Sequence, residues 1–598
     1  MVREGRNGRA ARLLPARLLG AQLLVVLLTG WLLWPQRRSG YGLGHDMVFT
    51  PHQPLNAGSI GLGSTPPRAV PLDGLVATAG RLLGGQLTGR LALAVPLLLA
   101  GWGMVRLLRD CGGRRLPGLL LGAGCAVWNP FVVERLALGQ WALLWCYGAL
   151  PWLVAGANRF RTATPPRDGR SGRWLAARLA GPVLALACCA ITPTGALIGA
   201  VTLLVVGWGR CWGALLGVAA LVQLPWLLPA LTGPASATSD PAGVAAFAAR
   251  AEHPGGALVS LLGLGGSWNA DVMPPSRAGA LGWLTAVAVL LALAAGFRFV
   301  RPLTLAVRLV WLAGAGLLVA AAASLPGTAA GVRWLVRTVP GGGLLRDGQK
   351  WLIPFVLVAV LTGALAVDRL AGRVQSDRLA ERFEPARWLL AVAALALPLL
   401  LLPDGPATLR TPLTPVRYPA GWTPVAARLA GSPDKVLVLP FASYRSFDWA
   451  PGQTVLDPAP RLLAAPTVVD DRLAVGGRVL AGEDPAAAAA ARLLASRPAP
   501  AALAAGLAAQ GIGWVVVEQG TPGPPLPDLS GLTPAAAGPG VSLYRVPGRI
   551  RRESADPART ILVLTGDLLA ALLVGAALAQ KAGQAGHRLL HSPVTHRT

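Results

Sequence analysis

Apolar stretches of about 18 residues or more recur along most of the chain, the length an α-helix needs to cross the hydrocarbon of a bilayer. No water is available there, so each stretch must close its own backbone hydrogen bonds, and a helix does so within one segment. The runs predict twelve transmembrane helices, at about 17–35, 89–108, 116–128, 141–157, 175–190, 194–209, 212–231, 280–297, 304–324, 351–367, 388–403 and 560–578. Charged residues make up 14% of the 598, where a soluble domain carries about 25%. The expected fold class is therefore a polytopic α-helical membrane protein.

The distribution of charge sets the orientation. The net charge is +27, and lysine occurs only at Lys350, Lys435 and Lys581, so the basic residues are nearly all arginine. They gather in short loops on alternate sides of the apolar runs, at Arg106–Arg115, Arg159–Arg178, Arg210, Arg298–Arg308, Asp368–Arg387 and the tail from Lys581. Cationic loops stay cytoplasmic, which with twelve spans puts both termini inside a plasma membrane. The same pattern excludes nucleic acid as a partner, because no basic, aromatic-laced face lies on a soluble part. The first apolar run ends in Trp31, Trp34, Pro35, Gln36, Arg37 and Arg38 without a small-residue cleavage site, so it is expected to be an uncleaved helix. The six cysteines, Cys111, Cys125, Cys146, Cys188, Cys189 and Cys211, lack metal-ligand spacing and are expected to pack as small apolar residues.

Residues 404–556 differ from the rest. They are proline-rich, with strand-like runs DKVLVLP at 434–440, GWVVVEQ at 513–519 and VSLYRVP at 541–547, and a helical run at 486–497. The chain therefore divides into a transmembrane module at 1–403, a small exoplasmic α/β domain at 404–556, and a final helix with a basic tail at 557–598.

Polar residues are scarce enough for their gathering to carry meaning. The first outer loop, 36–88, holds His45, Asp46, His52, Arg68 and Asp73; the next holds Asn129, Glu134, Arg135 and Gln140; a third holds Arg346, Asp347, Gln349 and Lys350. Charges at a membrane boundary face a cavity or a partner rather than lipid, and an outer-leaflet cavity suits a substrate with a lipid tail and a polar head. Asp46 can serve as a general base, or as a turn cap or solvated loop acid. Asp73 can serve likewise, or as the N-cap of a following helix. A weak divalent-cation site of His45, His52 and Asp46 stays open. Glu134 and Arg135 read either as site residues or as solvated charges on an interfacial helix. Arg346 and Lys350 at a helix start suit a phosphate, or form a snorkelling cation pair. Trp128, Trp141, Trp145 and Trp152 are expected to be interfacial anchors.

The stretches GHDMVFTPHQPL (44–55), WNPFVVERLALGQWALLWCYGALPW (128–152), LLRDGQKWLIPF (344–355) and VLVLPFASYRSFDW (436–449) give the chain a layout that resembles the GT-C superfamily of polyprenyl-phosphate-sugar-dependent glycosyltransferases. It is most similar in style to actinobacterial arabinofuranosyltransferase-like and YfhO-type membrane proteins, and the preference for Arg, Ala and Gly fits a GC-rich actinobacterial source. The resemblance implies a catalytic acid in the first outer loop, Asp46 first and Asp73 second. The family often has a paired-acid motif there, and here His45 precedes Asp46. It further implies substrate contacts from His45, His52, Arg68, Asn129, Glu134, Arg135, Gln140, Arg346, Asp347 and Lys350, a polyprenyl-phosphate sugar donor, and an envelope glycan or lipid acceptor. The alternative is a non-catalytic scaffold or glycan or lipid carrier of envelope assembly, since fold alone does not dictate function.

Overall fold

The structure, a computed structural model, describes residues 2–164, 171–234, 238–376, 384–552, 554 and 556–590. The arginines expected at Arg167 and Arg170, part of the basic stretch within 377–383, and the end of the tail at 591–598 lie outside them.

The chain is a multi-pass membrane protein. Among the described residues nine helices are long and apolar enough to cross a membrane. Three further helices at expected spans fall short of that. Helix α6 (Trp141–Thr162) is long enough, but its polar Asn158, Arg159 and Arg161 and its largely buried face make it a core helix. Helix α7 (Ser171–Cys189) opens on Gly172, Arg173 and Arg178. Helix α8 (Pro193–Gly207) has 15 residues and reaches about 22 Å at the usual rise, less than the hydrocarbon thickness. All three contribute buried residues to the main apolar core of the bundle.

The first helix, α1 (Val2–Leu32), runs toward the end of the bundle that carries the soluble domain, here the head end. The loop after it contains a short helix of its own, α2 (Leu72–Leu83), before α3 (Gly85–Asp110) crosses to the far end. Helix α4 (Leu116–Val127) returns and breaks. The break has a local cause: Asn129 precedes Pro130 and is held extended, at φ −155° and ψ 160°, as steric conflict with a following proline demands. Asn129 then caps the next helix, α5 (Pro130–Ala137), its Oδ1 accepting from Val132 N at 3.1 Å. This turn drives α5 into the bundle.

Two expectations are corrected here. Glu134 and Arg135 are fully buried rather than solvated on an interfacial helix. Trp128 and Trp141 are buried core residues rather than interfacial anchors, and Trp128 Nε1 donates to Leu402 O at 2.9 Å. The six cysteines are free thiols, three buried and three partly buried.

The soluble domain is built on a five-stranded sheet in the spatial order 533–538, 541–545, 512–518, 435–439, 467–468. The strand at 435–439 runs parallel to 512–518 and 467–468, while the two C-terminal strands are antiparallel. Helices Pro485–Ala495 and Pro500–Ala509 cover one face, and Trp422–Leu429 covers the other. Covering both faces explains why Ile512–Glu518 is buried at every position and reads as apolar up to its last residue, Glu518. The domain grips the first loop: Tyr41 and Val416 bridge, Gln36 Nε2 donates to Leu413 O at 2.6 Å, and Tyr418 Oη donates to Phe49 O at 3.0 Å.

Candidate functional site

The site begins with a tight hairpin, strands β1 (Leu43–Gly44) and β2 (Met47–Val48) joined through His45 and Asp46. His45 sits at φ +48°, in the left-handed region that two-residue hairpin turns require. The hairpin tip rests on the end of α5. There Leu138, Gly139 and Gln140 form a Schellman cap, with Gly139 N donating to Leu136 O and Gln140 N donating to Arg135 O at 2.8 Å. Gly139 is at φ +73°, and a Cβ there would meet Met47 N at 2.3 Å and Gly44 O at 2.4 Å. Only glycine allows the hairpin to approach so closely, and Asp46 N closes the contact on Leu138 O at 3.1 Å.

The cap also determines what Asp46 meets. It folds Gln140 back beside Arg135, and Gln140 Nε2 donates to Asp46 Oδ2 at 3.0 Å. Tyr444 of the soluble domain donates its hydroxyl to Asp46 Oδ1. Arg135 donates to Gln140 Oε1 and Gln349 Oε1, and forks onto Asp347 at 3.1 and 3.3 Å. Gln349 Nε2 continues to Glu134 Oε2 at 2.8 Å and Gly265 O at 2.9 Å. Lys350 Nζ lies 3.3 Å from Asp347 Oδ2. Beyond Glu134, Arg277 and Glu252 form a buried ion pair at 2.7 Å.

A second polar group borders the first. Arg68 and Arg346 reach Glu483 of the soluble domain at 2.7 and 3.6 Å, and Arg346 lies over the Phe247 ring at 5.3 Å. Arg461 donates to Asp73 at 3.0 Å. Arg68, Arg346 and Arg461 all lie close enough to Tyr444 for their charges to act on it or it on theirs. Burial and then the adjacent Asp46 push the Tyr444 hydroxyl well above its ordinary range, so it remains a proton donor. Burial lowers His45 against the opposing pull of Asp46 and Asp271, leaving a neutral ring. Burial alone would raise Asp347, but Arg135 and Lys350 outweigh it and hold the carboxyl below its usual range.

Of the residues singled out in the sequence, Asp46, Gln140, Arg135, Asp347, Lys350 and Glu134 therefore form one connected chain, and Arg68, Arg346 and Asp73 stand at its edge. Three expectations change. Asn129 is a helix cap, occupied by Val132 N, Cys125 O and Tyr147 Oη. His52 is exposed on the loop and joins neither group. Glu134 and Arg135 are enclosed, so they hold the site together rather than line it. Among the described residues no three His, Cys, Asp or Glu side chains are grouped to hold a metal ion, so His45, Asp46 and His52 do not form the cation site left open. Tyr444, Arg461 and Glu483 were missed, as were the roles of Gln349 and Gly139. Gly139 had a readable signal, a glycine just past an apolar helix and before a polar residue. Tyr444, Arg461 and Glu483 had none, each lying far along the chain from the groups it touches.

Compared with known proteins, the sequence matches no family model and no curated protein. The fold does match a solved one. Superposed on arabinofuranosyltransferase AftD from mycobacteria, the chain gives a TM-score of 0.53 at 19% identity, with 90% of this chain and 40% of that chain covered. The two proteins share a fold. A mutant form of the same enzyme gives 0.53 at 20% identity, over 89% of this chain and 41% of that one. The chain thus spans about two-fifths of the length of the enzyme it matches, and what the two share is the fold.

Proposed function

We propose that the protein is a membrane glycosyltransferase that moves a sugar from a polyprenyl-phosphate donor to an envelope glycan or lipid acceptor at the outer face of the cytoplasmic membrane. The observation that carries this reading is the position of Asp46: a half-buried carboxylate at the head end, fixed by one donor from the bundle and one from the soluble domain, beside partly exposed cations. A carboxylate offers about four lone-pair directions, so two donors orient it and leave others for a substrate hydroxyl.

Asp46 takes the proton of the acceptor hydroxyl as its oxygen bonds to the anomeric carbon. The bond from that carbon to the phosphate oxygen breaks, and the phosphate leaves with the electron pair. Attack from the face opposite the leaving group inverts the anomeric centre. Arg346, Lys350 and Arg68 sit where fixed cations can meet the growing negative charge, and Arg346 and Arg68 present planar forks suited to phosphate oxygens. Asp73 is the weaker candidate because Arg461 already occupies its carboxylate at 3.0 Å. Arg135 and Glu134 act through others, as positioning residues.

The test is transfer of labelled sugar from a polyprenyl-phosphate donor into envelope glycan, in membranes carrying wild type, Asp46→Asn or Asp73→Asn at matched expression. The Asp46 variant should lose about a hundredfold or more, and the Asp73 variant far less. Glycan profiles that stay equal in all three, and in a deletion strain, would replace this reading with that of a scaffold or carrier.

A further inference from the structure

At the far end of the bundle the C-terminal end of α6 with Ala163 and Thr164, and the loop joining α8 to α9 (Trp212–Thr232), border a cavity of about 310 Å³, lined by Arg161, Thr162, Trp208, Arg210 and Cys211 among others. Its size is at the lower end of ordinary small-ligand sites. Nothing in the glycosyltransferase reading uses it, since that chemistry sits at the opposite end of the bundle.

One fixed guanidinium, Arg161, lines it, and a second, Arg308, is bonded to the backbone of the lining residue Trp208. Arg161 donates to Asn158 Oδ1 at 2.7 Å and Thr304 Oγ1 at 3.1 Å, while its Nε is buried without a hydrogen-bond partner. Arg308 donates to Val206 O at 2.7 Å and Trp208 O at 3.0 Å, at the end of α8. Thr304 and Arg308 are four residues apart on one helix, so they share a face and bring the two arginines together. The charges are near enough to repel. Their hydrogen-bond partners are neutral oxygens, and among the described residues no carboxylate pairs with either. Arg210 adds a third, exposed cation.

Basic loops at the end of a bundle normally hold mobile side chains that reach for water. Here one guanidinium is tied down from two helices and lines a defined cavity, and the other is held by two carbonyls beside it. Held in place, like charges need an anion. The surroundings say which kind. Trp208 is 59% exposed and packs against Trp212, the ring centroids 4.6 Å apart and the planes tilted by 53°, and tryptophans of this kind are found at the bilayer boundary. Val307, Val310 and Trp311 flank Arg308 and are exposed on the bundle surface, where acyl chains would lie.

We propose that this cavity is a binding site for the phosphate of an anionic phospholipid in the leaflet at the far end of the bundle. Arg161 forks onto the phosphate oxygens with the charge of Arg308 beside it, Arg210 closes over the headgroup, and the acyl chains run along Val307 and Trp311.

The experiment is native mass spectrometry of the detergent-solubilised full chain with phosphatidylglycerol or phosphatidylcholine, each with and without inorganic phosphate. Phosphatidylglycerol should be retained at activation energies that strip phosphatidylcholine. Arg161→Gln should weaken that retention about tenfold, the worth of one charge-assisted hydrogen bond. Arg210→Gln, a change at an exposed position that leaves the fold intact, should weaken it less, and Arg161→Lys should fall between wild type and Arg161→Gln. Equal retention of the two lipids overturns the proposal, as does retention unchanged in both glutamine variants. Displacement of the lipid by inorganic phosphate makes this a site for a free phosphate and overturns the lipid assignment. None of these outcomes bears on Asp46, so the site and the transferase activity stand or fall separately.

Discussion

Gly139 shows how much a single residue carries at this site. A Cβ at this position would run into Met47 N and Gly44 O. Gly139→Ala should therefore lift the hairpin off α5 and move the Asp46 carboxylate by an ångström or so, a displacement that costs about a hundredfold in transfer when a reacting group is misplaced. Sugar transfer measured beside thermal unfolding checks this, and transfer should fall by more than the loss of folded protein explains. His45 offers a pH test. Its folded pKa is lowered by burial from the ordinary 6.5, so the folded state resists protonation. The unfolded chain binds more protons between the two values, and stability rises with pH there. This contribution is present above about pH 6.5 and is lost as pH falls toward the folded value. His45→Asn, which tolerates the left-handed backbone, should flatten the unfolding temperature over that window. An unchanged pH profile in the variant would show that His45 does not titrate between the two states.

At the scale of elements, the decisive contact is α5 against the turn at 347–350. Arg135 is wholly enclosed and Asp347 nearly so. Removing one partner strands a buried charge, so Arg135→Met should cost about 3–5 kcal/mol, while Arg135→Met with Asp347→Leu should recover much of it. Chemical or thermal unfolding of the three proteins decides the matter. A double variant no more stable than the single one would mean that the ion pair is not what joins these elements. Little of this arrangement was legible in the sequence. The helix start at Pro130, the cap at Asn129 and the stop at Gly139 are local patterns. Whether Glu134 and Arg135 face water or protein depends on Gln349 and Asp347, more than 200 residues away. Local pattern cannot report a neighbour so distant in the chain, which is why the sequence left both readings of Glu134 and Arg135 open.

For the whole molecule, the site is divided between two units. The bundle supplies Asp46, Arg68, Arg346 and Lys350, and the soluble domain supplies Tyr444, Arg461 and Glu483. Tyr444→Phe keeps the ring and removes only the donor, so transfer should fall by about tenfold with little change in unfolding temperature. Unaltered transfer would show that the soluble domain stands beside the site without completing it. The sequence by itself determined that the chain crosses a membrane many times and where most of those crossings run, and it drew attention to a few polar residues. These follow from length, apolarity and scarcity, which are properties of a segment and need no partner. The tertiary structure alone decided that Asp46 is clasped from two units, that Asp73 is taken by Arg461, and that Arg135 is a strut. Each of these depends on groups that only folding brings within hydrogen-bond reach, and contact at that range leaves no periodicity or spacing in the chain to be read.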